Sequence, residues 1–373
     1  MSDETYFDWN ATTPPHPEVL AAIAEATRTA WANPASVHRA GQRARALVDD
    51  ARQAIAELVR RDARDVILTG GGTEANNLAL AGARAIVTSR LEHPSVTRVA
   101  EALELAGGSV HWLAVPETGR LEPEAVERAL ASAGAGAVVA VGLANHETGV
   151  IQPIAEIAAV VKAAGARLHV DAVQAAGRLA PGLLEHGDSL ALAAHKLRGP
   201  KGIGALALRP GQVPQPVLRG GSQERGLRPG TVDAAAASGF GVAARRALHG
   251  HERYAPLAAL RDALELALAG TAVVNGASVA RAPHVSSLAF AGTRGDELAA
   301  ALDLEGIRVS SGSACTAGTS EPSQVIEAML GRDRARATLR VSLGEDSTRA
   351  ELDVFLVGVA RVLPRLRKAS SVP

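Results

Sequence analysis

The sequence predicts an α/β protein with a large, mostly parallel sheet and a smaller α+β unit after it. Two observations carry this prediction. Short apolar runs alternate with amphipathic, helix-type stretches between residues 40 and 208, which is typical of βαβ units with helices on both faces of a sheet. From about Tyr254 onward the pattern changes and predicts helix, strand, strand, helix.

The predicted strands of the large sheet are seven short apolar runs. They lie at residues 66–68, 85–87, 110–113, 137–143, 167–170, 189–193 and 203–208. Helical patterns separate most of them, so we expect a seven-stranded sheet in a large domain spanning residues 15–253. Residues 1–14 and 254–373 would form the smaller domain, which contains the irregular glycine- and serine-rich segment 310–323.

The composition is that of an ordinary globular protein. The chain has 373 residues, 47% hydrophobic and 21% charged, which is enough for two domains. Its 39 basic residues balance 39 acidic ones, so nothing indicates nucleic-acid binding. No apolar run reaches the ~18 residues that cross a membrane. The acidic N-terminus lacks the apolar core of a signal peptide. We therefore expect a cytoplasmic protein.

Cys315 is the only cysteine, which excludes an internal disulfide and a cysteine-only metal site. A lone cysteine is either an inert core residue or a reactive thiol. Its neighbours from Ser310 to Gly318 are small and mostly polar, whereas a structural cysteine prefers apolar surroundings. This context favours a reactive thiol.

Three further features predict a ligand site. The turn from Gly70 to Thr73 follows a predicted strand and opens a helix, so its N–H groups can bind an anion, although an ordinary strand–helix turn fits equally well. Asp171 ends another strand and can pair with a pyridinium nitrogen or cap a helix. Lys196 follows a third strand and can form an imine with an aldehyde, although most single lysines are surface residues.

Together these features supply a phosphate site, an acid for a pyridine ring, an imine-forming lysine and a thiol. Each is ambiguous alone, but all four in this chain order indicate a pyridoxal-phosphate (PLP) site. The chain also resembles the NifS/IscS-like cysteine desulfurases of the class V aminotransferase group, which implies the fold-type I PLP-enzyme fold. The matching segments are residues 6–8, 10–14, 33–38, 71–78, 92–94, 169–174, 195–196, 199–204, 223–228, 310–316 and 321–323.

The resemblance implies a role for each residue of the cofactor site. Lys196 is expected to hold PLP as a Schiff base and then to move a proton. Asp171 is expected to pair with the ring nitrogen, and His93 to stack on the ring and assist proton transfer. The other expected cofactor contacts are Gly72, Thr73, His146, Gln174, Ala193, His195 and Thr231. Thr231 would reach the phosphate of the neighbouring subunit, which implies a homodimer.

The implied reaction removes sulfur from L-cysteine, giving L-alanine and a persulfide on Cys315. Arg340 is expected to bind the substrate carboxylate, because a guanidinium does so bidentately, and Asn33 to assist. The persulfide sulfur would pass to an acceptor protein that serves iron–sulfur cluster assembly or tRNA thiolation. No resident metal is expected, although Cys315 is a candidate transient ligand of an iron–sulfur cluster.

Three positions depart from the family pattern. His146 stands where an asparagine usually contacts the phenolic oxygen of the cofactor. Ala193 replaces a serine, which removes a phosphate hydrogen bond of the kind that contributes ~1.5–3 kcal/mol. Pro229 stiffens the loop expected to meet the partner subunit. Because few residues follow the predicted small domain, we do not expect the tail-mediated docking of a scaffold protein that some relatives use.

Two other functions remain open at this point. One is a different class V PLP enzyme, such as an aminotransferase or a β-lyase acting on selenocysteine or cysteine sulfinate. Cys315 argues against an aminotransferase, since transamination needs no thiol. The other is a non-catalytic persulfide carrier with a weakened cofactor site. His146 and Ala193 are its only support, and the intact lysine, aspartate and histidine positions oppose it.

Overall fold

A computed structural model describes residues 4–134, 136–312 and 322–369. The strands are β1 (Thr5–Tyr6), β2 (Val66–Thr69), β3 (Ala85–Ser89), β4 (Ser109–Leu113), β5 (Val138–Gly142), β6 (Arg167–Asp171), β7 (Ser189–Ala193), β8 (Gly204–Leu208), β9 (Val273–Val274), β10 (Val285–Ala289), β11 (Ile307–Arg308) and β12 (Thr338–Ser342). The helices are α1 (Pro17–Thr29), α2 (Arg39–Leu58), α3 (Gly72–Leu80), α4 (Pro94–Leu105), α5 (Pro123–Ala133), α6 (Ile154–Ala163), α7 (Ala234–Ala247), α8 (Gly250–Tyr254), α9 (Leu257–Ala267), α10 (Gly295–Leu304), α11 (Gln324–Leu330), α12 (Arg332–Arg336) and α13 (Arg349–Ala369).

The central sheet has seven strands in the order β2-β8-β7-β6-β5-β3-β4. Strand β8 is antiparallel to both its neighbours, and the other pairings are parallel. All seven apolar runs of the sequence are strands of this sheet, so the predicted fold class is confirmed. Helices cover both faces, which explains why the inner strands are apolar along their whole length.

Small side chains hold the helices of the large sheet close together. Helices α2 and α7 pack along one another, and Ala44, Ala51, Ala237 and Ala244 lie fully buried in the same hydrophobic cluster. Alanine favours helix locally and also permits close approach of the two backbones. The alanine-rich composition therefore builds a core that contains few aromatic rings.

The smaller unit contains the sheet β12-β10-β9 and the parallel pair β1-β11. Its core includes Phe7, whose ring packs edge-on to Phe355 at a centroid distance of 6.1 Å. Burial of such a ring stabilises by about 1.5–3 kcal/mol, so it anchors the N-terminal segment here. We keep residues 15–253, and 1–14 with 254–373, as proposed domain bounds. Between β10 and β12 the structure adds α10, β11, α11 and α12, which the predicted pattern lacked.

The sheet topology brings functional side chains to one edge. Strands β5, β6 and β7 end beside one another at Gly142, Asp171 and Ala193, and ligands of open α/β sheets bind at these carboxyl ends. Helix α3 begins there as well, at Gly72. Within the part of the chain that is described, no helix is both long and apolar enough to cross a membrane.

Candidate active site

A cavity of about 230 Å³ lies at the carboxyl ends of the parallel strands. Ten residues predicted for the site line it: Gly72, Thr73, His93, His146, Asp171, Gln174, Ala193, His195, Lys196 and Arg340. They are separated by up to 268 positions in the chain, and Arg340 comes from β12 of the smaller unit rather than from the large sheet. This geometry agrees with a single binding site assembled from all of them.

Lys196 ends a short 3-10 turn that follows β7 directly. Its Nζ donates hydrogen bonds to the backbone oxygens of Ala11, at 2.8 Å, and Asn10. The pKa of Lys196 is lowered to about 7. Burial is the largest cause, and the positive charges of Arg178 and Arg340 come next. A large fraction of the amine is therefore neutral near physiological pH, which is the form that attacks an aldehyde.

The lowered pKa of Lys196 predicts how the protein without cofactor captures PLP. Only the neutral amine attacks, so the capture rate should rise with pH and level off above the pKa of about 7. An ordinary lysine would give a rate that keeps rising towards about pH 10.4. Stopped-flow absorbance on mixing with PLP over this pH range measures the midpoint. A midpoint close to that of an ordinary lysine would contradict the buried, neutral amine.

Asp171 lies at the end of β6 with both carboxylate oxygens held. Val173 donates its backbone N–H to Oδ1 at 3.0 Å, and the side-chain amide of Asn76 donates from Nδ2 to Oδ2 at 2.7 Å.

Glu92, which neighbours Asp171, is buried and accepts the backbone N–H of Gly142 at 2.6 Å. Burial, with the charge of Asp171 next, raises the pKa of Glu92 to about 8. Near neutral pH the Glu92 carboxyl is therefore mostly protonated, and it does not place a second negative charge beside Asp171.

His93 caps helix α4 from the position before it. Its Nδ1 accepts the backbone N–H of Ser95 at 3.1 Å and lies 2.8 Å from the Ser95 hydroxyl. Burial, followed by the neighbouring His146, lowers the pKa of His93 to about 4. The two imidazoles meet edge to face at 5.5 Å between centroids. His93 is thus a neutral ring near physiological pH.

The turn before α3 has the shape of an anion site. Gly71 has φ of 152°, which favours glycine. A Cβ on Gly72 would come within 2.7 Å of the Val173 side chain, so any larger residue would force Val173 to move. Behind it lies the methyl group of Ala193, 3.5 Å from that Cβ position, where a serine hydroxyl was expected. The N–H groups at the start of α3 fit the phosphate of PLP. Asp171 fits its ring nitrogen, and the buried amine of Lys196 fits its aldehyde.

Arg340 extends from β12 into the cavity, and each of its two Nη nitrogens already donates one hydrogen bond. Its Nη2 donates to Asp8 Oδ1 at 2.6 Å, and its Nη1 donates to the backbone oxygen of His146 at 3.0 Å. Among the described residues its buried Nε has no hydrogen-bond partner. Because His146 contributes its backbone oxygen here, this contact does not depend on whether the side chain is histidine or asparagine.

Two of the predicted site residues do not line the cavity, and a third lies outside the described residues. Asn33 uses its Oδ1 to accept the N–H of Ala35 at 2.9 Å and does not line the cavity. Thr231 is exposed and also lies outside the lining. Cys315 lies outside the described residues. Their proposed roles therefore do not rest on the geometry of this cavity.

Arg178 was not predicted as a site residue, although its side chain donates hydrogen bonds to residues that line the cavity. Arg178 is 2% exposed and donates to Asn10 Oδ1 at 2.9 Å, to the Lys196 backbone oxygen at 3.0 Å and to Gln174 Oε1. Burial lowers its pKa. The only sequence signal was a single arginine in an apolar stretch shortly after Asp171, which a surface residue would explain equally well.

Comparisons with known proteins agree with this geometry. The class-V aminotransferase family model matches residues 5–355. The IscS-like cysteine desulfurase of Mycobacterium tuberculosis is 39% identical over 98% of both chains. A cysteine desulfurase of Cereibacter sphaeroides is 41% identical over 99% of this chain and 98% of the relative. A solved NifS-like protein superposes with a TM-score of 0.88 at 29% identity, covering 97% of this chain and 100% of that one.

The fold and the cavity define a PLP-dependent enzyme of the class-V aminotransferase type. Within that class, the chain belongs to the NifS/IscS-like cysteine desulfurase family. The predicted resemblance and the predicted cofactor are thereby confirmed. The two curated relatives are named cysteine desulfurases, which favours this activity over the two alternatives.

Proposed function

We propose that this chain is a PLP-dependent cysteine desulfurase that converts L-cysteine to L-alanine and moves the sulfur onto Cys315. The observation that carries the proposal is the buried amine of Lys196, which shares one cavity with Asp171, His93 and the glycine turn at Gly72. When bound, PLP supplies an electron sink for the negative charge that develops at the substrate Cα.

The residues of the chain divide the work. Lys196 Nζ, of which a large fraction is neutral near pH 7 because of its lowered pKa, would hold the cofactor aldehyde and then accept the proton of the substrate Cα. Asp171 would pair with the ring nitrogen of PLP. His93, neutral and hydrogen-bonded at Nδ1, would lie against the ring and pass a proton through its other nitrogen. The backbone N–H groups of Gly72 and Thr73 would bind the phosphate, with His195 beside them.

Arg340 recognises the substrate as an amino acid. Each of its two Nη groups keeps one proton for a substrate carboxylate, while the ion pair with Asp8 and the bond to His146 fix the guanidinium plane. A bidentate pair with the substrate carboxylate then sets the Cα–H bond relative to Lys196.

We expect Arg340→Lys to raise the KM for L-cysteine by about 10- to 100-fold, because a charge-assisted hydrogen bond contributes ~1.5–3 kcal/mol. The ammonium keeps the charge but loses the fork geometry. Steady-state alanine production measures the effect. Arg336→Lys, at an exposed position four residues earlier, is the matched control. An unchanged KM in Arg340→Lys would exclude Arg340 as the carboxylate-binding residue.

The proposed sulfur step uses the thiolate of Cys315. It attacks the substrate sulfur, the carbon–sulfur bond breaks, and the substrate Cβ gains a proton to give alanine, leaving a persulfide on Cys315. The chain leading to Cys315 begins beside the substrate site, since Ser310 and Arg340 exchange backbone hydrogen bonds of 3.3 and 2.6 Å. The five Cα–Cα steps from Ser310 to Cys315 span at most about 18 Å when extended, so the chain length permits Cys315 to reach the cavity.

A homodimer and an acceptor protein complete the proposal. On its phosphate side the site opens into a wider cavity of about 720 Å³, bordered by Gly70, Thr73, Lys201 and Leu218. We propose that a second copy covers this opening with its Thr231, which is exposed in one chain alone. The acceptor would be an iron–sulfur scaffold or a tRNA-thiolation carrier, and the compartment the cytoplasm.

The proposal is tested by adding L-cysteine and a thiol reductant to the PLP-loaded protein and assaying sulfide and alanine together. Equal amounts of both are expected. An aminotransferase would instead give a keto acid without sulfide. A persulfide carrier would remain colourless and produce neither product, and either result would overturn the proposal.

A further inference from the structure

A chain of side-chain hydrogen bonds runs along the wall of the cavity and continues into the protein interior. It joins Ser189, His169, Asn76, Ser95 and His93, with Asp171 as a branch at Asn76. The successive distances are 2.8, 2.9, 2.8 and 2.8 Å, and the branch is 2.7 Å. Asn76 and His169 are each 1% exposed, so water does not compete for these bonds. The chain connects two proposed cofactor contacts that lie on different elements.

The orientation of the Asn76 amide follows from its neighbours. An ionised Asp171 only accepts hydrogen bonds, so the Asn76 NH₂ group must face it at 2.7 Å. The reversed amide would bring two oxygens to that distance. The correct orientation turns the Asn76 oxygen towards His169 Nε2, 2.9 Å away. His169 must therefore donate from Nε2.

The charge and tautomer of His169 follow from its burial and from its two hydrogen-bond partners. Burial lowers the pKa of His169 to about 4, so the ring is neutral and carries one proton. With that proton on Nε2, its Nδ1 accepts from the Ser189 hydroxyl at 2.8 Å. Every donor and acceptor along this part of the chain then has one consistent assignment.

The other end of the chain reaches His93. The second N–H of Asn76 donates to the Ser95 hydroxyl oxygen at 2.8 Å, which leaves that hydroxyl free to donate to His93 Nδ1 at 2.8 Å. The backbone N–H of Ser95 donates to the same nitrogen. With two donors directed at Nδ1, the single proton of neutral His93 lies on Nε2.

We propose that Asn76 is a positioning residue for the reaction. It orients the Asp171 carboxylate towards the ring nitrogen and, through Ser95, supports the Nε2–H tautomer of His93. His169 is the buried donor that keeps the Asn76 amide from reversing. This inference rests on the proposed roles of Asp171 and His93, and it adds two residues that act through them without carrying out chemistry themselves.

The test is ¹⁵N NMR of histidine-labelled protein, first without cofactor and near neutral pH. We expect His169 and His93 each as a neutral ring with the proton on Nε2, assigned with His169→Gln and His93→Gln variants. A proton on His169 Nδ1, or a charged His169, would mean that the amide is reversed, and the proposal would fail. This measurement on the unaltered chain needs no variant of Asn76 to fold.

A variant gives the functional readout. Asn76→Leu should weaken PLP binding by about tenfold or more, since a bond to a carboxylate and its orientation are lost. It should lower kcat while leaving the KM for L-cysteine near its original value, because Arg340 is untouched. Asn77→Leu on the same helix, whose amide donates only to the Thr73 backbone oxygen, is the matched control. Equal effects in both variants would reduce Asn76 to a structural role.

These readouts separate the inference from the proposed function. The tautomers and the PLP affinity do not depend on turnover. Loss of alanine and sulfide in the unaltered protein, with the expected tautomers present, would contradict the desulfurase proposal alone. Normal turnover with the wrong His169 tautomer would contradict the positioning role alone.

Discussion

Replacing Lys196 with alanine is expected to lower L-cysteine desulfuration by about 10³-fold or more and to remove the covalent attachment of PLP. Among the described residues, Lys196 is the one lysine that lines the cavity. Its loss removes both the amine that holds the aldehyde and the base for the substrate Cα proton. The measurements are alanine production and the yellow colour that borohydride bleaches in the unaltered protein.

The matched control for this variant is Lys162→Ala, because Lys162 is exposed on α6. It should keep full colour and activity. A second readout isolates the proton step. In deuterated water the unaltered protein should exchange the Cα hydrogen of the amino acid, and Lys196→Ala should not. A borohydride-sensitive colour that persists in Lys196→Ala would place the cofactor on another residue.

Replacing Cys315 with alanine is expected to leave colour and Cα exchange intact while reducing sulfide release by at least about 10²-fold. The variant lacks the nucleophile that takes the sulfur, whereas the cavity that binds PLP and substrate is unchanged. The two variants therefore separate the reaction into a proton step at Lys196 and a sulfur step at Cys315.

The Cys315 variant is unambiguous because the chain has a single thiol. Cys315 is the only cysteine of the chain, so no other thiol can substitute for it and the variant should give no reaction with thiol reagents. Cys315→Ser is the control that keeps the size of the side chain and should behave like the alanine variant. Sulfide release at the original rate in either variant would contradict sulfur transfer through Cys315.

The large sheet was predictable because its strands are buried on both faces. Such strands consist of continuous apolar residues, and each of the seven runs stands out between polar helix faces, as at β7 (Ser189–Ala193), whose predicted and observed limits coincide. The smaller unit was predicted less completely. Strands of two residues, such as β9 and β11, are too short to show an alternating pattern.

Within the site, the residues that could be predicted follow strands or open helices, where local sequence indicates their position. Asp171 and Lys196 are of this kind. The residues that orient them could not be predicted, because their partners are distant in the chain. Asn76 bonds to a residue 95 positions away, and the ion pair of Arg340 with Asp8 spans 332 positions. Such pairs depend on packing of the whole fold, which no local pattern encodes.

The departures at His146 and Ala193 affect the site less than the sequence alone suggested. The backbone oxygen of His146 accepts from Asn10 at 3.1 Å and from Arg340 at 3.0 Å, and neither contact depends on its side chain. Ala193 leaves the helix start at Gly72 intact and removes one hydroxyl only. Both changes are compatible with a working cofactor site, which argues against a non-catalytic carrier.

The most direct test of the account is a single turnover analysed by mass spectrometry. PLP-loaded protein is mixed with one equivalent of L-cysteine without reductant, then digested, and the released amino acid is quantified. We expect a Cys315 peptide heavier by one sulfur atom together with one alanine per chain. Pyruvate or unconverted cysteine with an unmodified Cys315 peptide would contradict it.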